Sequence, residues 1–191
     1  MKELMEFVKE LSFVRVGGSA EEKKAAELVM EEINQAVKEA GREDIQREYM
    51  PFKIPSAKVG KCSVQAAGRK IPCVPLLRSG NIDRECELVY LDEVSEIDFA
   101  GAGNLEGKVV LLNKLYEEDV YKRLAEHKAS AFLVMQGRYY HSEQEASLFP
   151  RRLGEHLSRN GVIPGFAITA ADALWLIQEE VEKVHLTLNQ E

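Results

Sequence analysis

The run AFLVM, residues 131–135, is the feature that most narrows what this chain can fold into. Five apolar residues without polar alternation do not suit a strand with one wet face. They suit a strand covered on both sides, as in a parallel sheet flanked by helices. The neighbouring segments meet that demand. VVLL at 109–112 is a second such run, and 117–128 reads as a helix with Val120, Tyr121, Leu124 and Ala125 on one side. A long connection, 137–161, leads to the strand VIPGFAI. Thr169 with Asp172 then caps a helix carrying Leu174, Ile177 and Val181, and VHLTL is a last strand. Strand-helix-strand-helix-strand is the signature of crossover units.

Upstream, the period is different. Leu4, Met5, Val8 and Leu11 recur at helical spacing until Gly17 and Gly18 break the run. Ser19 followed by Glu22 is a capping box. It opens a helix with Ala25, Ala26, Val29, Ile33, Ala36, Val37 and Ala40 on one broad face, which Gly41 ends. From Ile45 the segments REYMPFKI, AKVGKCSVQA and RKIPCVPLL are short, and their prolines confine them to edges and bends. CELVYLD, 86–92, is a clearer strand. The expected fold class is therefore α+β: N-terminal helices over residues 1–44, then a β/α domain over 45–191. Its core should be 109–112, 132–135 and 163–168, packed by two helices.

With 45% hydrophobic and 30% charged residues, the composition is that of a globular protein. The net charge of -7 argues against a nucleic-acid surface, which needs a basic stripe. No stretch approaches the roughly 20 apolar residues that span a bilayer, so no membrane partner is expected. The first residues lack a secretory apolar core. As written, the chain reads as cytoplasmic; an extracellular location would require a leader that has been removed. Cys62, Cys73 and Cys86 lack the paired spacing of a zinc ribbon. If Ala67-Gly68 is a two-residue hairpin turn, Cys62 and Cys73 face each other at disulfide distance, although Pro72 weakens the pairing and a cytoplasmic setting keeps thiols reduced.

The search for chemistry is mostly negative. His127, His141, His156 and His185 show no helical zinc-site spacing, and His141 with Glu143 is a pair without a third ligand. The paired carboxylates at 21–22, 31–32, 117–118 and 179–180 fall in helices as solvated faces. There is no G-x-S-x-G elbow, no C-x-x-C, and GAGNLEG precedes a strand where a phosphate cradle must precede a helix. The one candidate contact surface is the 137–161 connection, which carries Tyr139, Tyr140, His141, Phe149, Arg151 and Arg152. Several of these types are favoured at interface hot spots; an Ω-like loop packing its own aromatics is the alternative.

LEGKVVLLNK, a helix, HKASAFLVMQG and IPGFAITAADALWLI in that order resemble the protease-associated domain. Ala129-Ser130 stands where that family usually has Gly-Ala. RVGGSAEEKKAAELVMEEINQAVKEAG is similar to the opening helix of the co-catalytic-zinc exopeptidases, aminopeptidases and glutamate-carboxypeptidase-like enzymes among them. Many of those carry a protease-associated domain inserted after that helix. The resemblance implies a fold of N-terminal helices followed by a protease-associated-type β/α domain. It also implies a parent hydrolase acting on a peptide substrate at two zinc ions held by a following domain. The family's ligand pattern opens with His-x-Asp, and no histidine here has Asp two residues on. No cofactor and no catalytic or metal residue is therefore expected in this chain, which would act as a lid for substrate access or as a partner-binding surface. The other readings are a stand-alone interaction module and an enzyme using Cys and His. The apolar face of the second helix, partly covered by the first folding back, also implies a homo-oligomer.

Overall fold

The computed structural model describes residues 4–15, 17–42, 44–53, 57–113, 117–137 and 148–191. They fall into two compact units, Met1–Ser56 and Ala57–Glu191.

The first unit holds α1 (Leu4–Glu10) and α2 (Ala20–Glu39). Ser19 caps α2 as its sequence demands, its hydroxyl accepting from the Glu22 amide at 3.2 Å while the Glu22 carboxylate reaches back to the Gly18 amide. Residues 45–53, read in the sequence as the start of the second domain, run extended but pair with no strand. Tyr49 instead donates to the Ala26 carbonyl of α2. The expectation that α1 folds back over the α2 stripe is corrected. No residue of α1 is buried, with Leu4 76% and Val8 50% exposed, and Ala25 is the buried residue of α2. The Lys24 Nζ of α2 lies 5.3 Å from the centre of the Phe13 ring, so the contact there is a cation over an aromatic face rather than an apolar seam.

The second unit is a curled sheet in which nine strands are described, with helices against it. In chain order these are β1 (Val59–Ala66), β2 (Arg69–Ile71), β3 (Cys73–Leu77), β4 (Ile82–Leu91), α3 (Glu96–Ala102), β5 (Lys108–Leu112), α4 (Glu118–Glu126), β6 (Ala131–Gln136), β7 (Arg151–Arg152), α5 (Glu155–Ser158), β8 (Gly165–Thr169), α6 (Ala170–Gln178) and β9 (Lys183–Gln190). The order across the sheet is β2-β1-β9-β4-β5-β6-β8-β3-β7. β4, β5, β6 and β8 are parallel neighbours, and the crossover reading of the second half holds. β1, β9 and β3 join antiparallel. Only Pro72 separates β2, at one end of this order, from β3, near the other. The sheet must therefore curl until its two sides meet.

Alternation along the buried strands sorts the core into two clusters. Val109, Leu111, Ala131, Leu133, Phe166 and Ile168 pack with Ala173 and Leu176 of α6 and with the β1-β9 side chains. Val110, Leu112, Phe132 and Val134 face the other way, toward Phe99, Val120, Tyr121, Leu124 and Leu157 of α3, α4 and α5. The apolar runs thus lack alternation because both faces are covered. The expected segments 109–112, 132–135 and 163–168 lie in the observed core, with Met135 and Pro164 only half-buried, and side chains of β1, β2, β4 and β9 extend it. More helices cover it than the two expected: α3, with Phe99 as its single buried residue, and the one-turn α5 are additional.

Candidate functional site

The connection read as the contact surface leaves the sheet after Gln136 and rejoins it at Arg151. Tyr139, Tyr140 and His141 lie outside the described residues. Its two feet are well defined. The buried Gln136 side chain donates to the Phe149 carbonyl at 3.1 Å and accepts from the Phe149 amide at 3.2 Å, imitating a backbone ladder pair. The chain then runs as β7 parallel to β3, with Leu76 opposite Arg151 and Leu77 opposite Arg152. Leu153 and Leu157 are buried beyond it. The far end is held by Tyr121, whose hydroxyl donates to the Gly161 carbonyl at 2.9 Å and accepts from the Ile163 amide at 3.0 Å. Burial pushes the Tyr121 phenol above its ordinary value, so it stays neutral and keeps both bonds.

Two arginines therefore stand on the outermost strand of the sheet. Arg151 is half-buried, its guanidinium 5.2 Å from the centre of the exposed Phe149 ring, and its Nε has no hydrogen-bond partner among the described residues. Arg152 is exposed. Beneath Arg151, a cavity of about 10 Å3 between Leu76, Phe132, Val134 and Phe166 is at the lower limit for one water. Any ligand must engage from outside. The chemistry these side chains offer is recognition of carboxylate or carbonyl groups by guanidinium and aromatic contacts.

Sequence reasoning missed a polar cluster on the β4-β9 ladder. His185 Nε2 lies 3.1 Å from Asp83 Oδ1, which also accepts from the Thr187 hydroxyl at 3.1 Å. The His185 hydrogen bond, with Thr187 second, holds the Asp83 carboxyl below its ordinary range. The period-two spacing of His185 and Thr187 was the sole local signal; Asp83 arrives from far along the chain through strand register. The cluster borders an open groove of about 580 Å3 that Lys61, Asn81 and Asn189 also line.

Neither place fits a two-zinc centre. Among the described residues, no group of three or more His, Cys, Asp or Glu side chains is arranged to hold a metal ion. His185 and Asp83 supply two donors, and their third neighbour is a neutral hydroxyl, a poor zinc ligand.

The fold, a curled sheet with parallel crossover strands in one unit and helices in the other, is similar to part of several zinc aminopeptidases of known structure. The particular structures it matches are larger than this chain. A zinc aminopeptidase from Bacillus subtilis superposes at a TM-score of 0.65 and 20% identity, covering 97% of this chain and 42% of its own. A peptidase M28 precursor from Shewanella amazonensis gives 0.65 at 18% identity, covering 97% and 46%. An aminopeptidase from Aneurinibacillus sp. strain AM-1 gives 0.53 at 19%, covering 97% and 43%. The chain thus spans under half the length of these proteins. No protein-family model and no curated protein matches the sequence.

Proposed function

We propose that this chain is the non-catalytic N-terminal part of a zinc-dependent exopeptidase of the aminopeptidase type. Residues beyond the helical unit act in it as a protease-associated domain, a wall or lid over the path of a peptide substrate. The observation that carries the reading is the superposition of nearly all of this chain on less than half of several zinc aminopeptidases. Two zinc ions would belong to the remaining half of such an enzyme; among the described residues of this chain no donor set is arranged for them.

In this reading Arg151, Arg152 and Phe149 form the contact edge. The guanidinium groups pair with peptide carboxylates, and the open ring supplies apolar area. Two measurements test it. The chain, dialysed against zinc, should hold less than one equivalent and release no amino acid from chromogenic aminoacyl substrates; tight zinc binding or turnover overturns the non-catalytic assignment. An Arg151→Ala, Arg152→Ala variant should bind labelled short peptides roughly tenfold more weakly, the effect of losing about 1.4 kcal/mol. Unchanged peptide affinity removes this edge from the contact surface.

A further inference from the structure

Ala67 and Gly68, at φ 48° and 77°, form the tight turn between β1 and β2. Both take the left-handed conformation that a two-residue hairpin favours. The register Val64 to Ile71, continued by two residues, sets Cys62 against Cys73. Their Sγ atoms are 3.7 Å apart, and both thiols are free and half-buried on the core-facing side of the hairpin. Directly opposed residues of antiparallel strands have Cα atoms about 4.5–5.5 Å apart, inside the span a disulfide accepts. The two sulfurs need only side-chain rotation to approach to bonding distance.

The location gives this pair a consequence. Cys73 is the first residue of the β2-β3 stretch to pair with β8, opposite Ile168, while Cys62 pairs with Leu188 of β9. The two thiols therefore sit across the seam where the curled sheet meets itself. Cys86 is buried on β4 opposite Val184, beyond β9 and four residues along it from Leu188.

We infer that Cys62 and Cys73 are a redox-active dithiol, oxidised by small-molecule disulfides to an intramolecular disulfide that clamps this seam. The Cys73 thiolate attacks one sulfur of the small disulfide, forming a mixed disulfide and expelling one small thiolate. Cys62 then loses its proton to solvent and attacks the Cys73 sulfur, expelling the second. Two protein thiols are oxidised, one small disulfide is reduced to two thiols, and no other reactant is needed. The polarity of the pair suits this order. The hydrogen bond from Cys62 lowers the Cys73 thiol, against the effect of burial, with the Val64 amide and Lys70 assisting. The same contact, with burial, raises Cys62.

The test uses the full chain with oxidised glutathione as the small disulfide, followed by alkylation of remaining thiols and peptide mapping. The expected product links Cys62 to Cys73, leaves Cys86 alkylatable after unfolding, and forms faster in the folded chain than in urea. Its melting temperature should exceed that of the reduced chain by roughly 5–10 °C. Cys62→Ser should stop at a mixed disulfide on Cys73, formed faster than the adduct on Cys62 in Cys73→Ser. A stable glutathione adduct on the parent chain without the internal link overturns the proposal. So do a link through Cys86 and equal rates in urea. An unchanged melting temperature removes the clamp, and the reverse order of adduct rates removes the assigned attack.

Discussion

Gln190 is a polar residue at the end of the last strand, and nothing in its sequence neighbourhood marks it. In the fold it is buried. Its side chain accepts from the Arg78 amide at 2.9 Å and donates to the Leu76 and Ser79 carbonyls, while Ser79 Oγ accepts from the Gly165 amide. Arg78 takes φ 63° in this turn, a conformation that a buried network can hold in place. Truncation leaves several buried groups without partners, so Gln190→Ala should cost about 2–4 kcal/mol, read by urea denaturation. Gly165 belongs to the same corner: a Cβ there would stand 2.7 Å from the Phe132 ring. On the surface, Asp83 offers a titration. Because its carboxyl is depressed in the fold, the stability the pair supplies is present above the ordinary carboxyl value, near ~3.9. It is lost as pH falls through the lower folded value. His185→Ala should move the Asp83 midpoint upward by NMR; an unmoved midpoint would assign the depression to another group.

Elements follow from how much local pattern each carries. β5, β6 and β8 were legible because their residues are buried on both faces, and burial of that kind leaves unbroken apolar runs. Replacing Leu133, 0% exposed between α6 and the sheet, with Asp should unfold the second unit, since an unpaired buried carboxylate costs several kcal/mol of roughly 5–15. A mutant that kept its melting temperature would place Leu133 elsewhere. α3 was not legible. Its seven residues bury Phe99 alone and leave Ile97 83% exposed, so no stripe marks it; the Ser95-Asp98 capping box that starts it is two residues of pattern. β7 and α5 were hidden for the same reason, each being too short to show a period.

At the scale of the whole chain, the open question is what covers α2. Val29 and Ile33 are 37% and 43% exposed, and α1 does not shield them. Burying each such side chain is worth about 1.5–3 kcal/mol, so the stripe favours any available cover. We expect a second copy to supply that cover in a solution of this chain alone, since a self-complementary patch closes most simply as a two-fold dimer. We expect self-association in sedimentation at about tens of micromolar, abolished by Ile33→Glu, Val37→Glu. A monomer under those conditions ends the argument for a homodimer. Among the described residues no helix is long and apolar enough to cross a membrane.

What the sequence by itself determined was the order of the central strands β5, β6, β8 and β9 with α4 and α6 between them, the two-faced burial of β5, β6 and β8, and the capped starts of α2 and α6. Those depend on residues within a turn or two of one another, where side-chain period and hydrogen-bonding type act locally. Even the Cys62-Cys73 juxtaposition was readable, because one hairpin turn brings the two thiols together. Tertiary structure alone decided the curling of the sheet, the hold of Gln136 on the loop foot, the Gln190 network and the meeting of Asp83 with His185. Each joins residues through strand register or a long closed loop. Register is set by the sum of packing over a whole face, and no short window of sequence contains that sum.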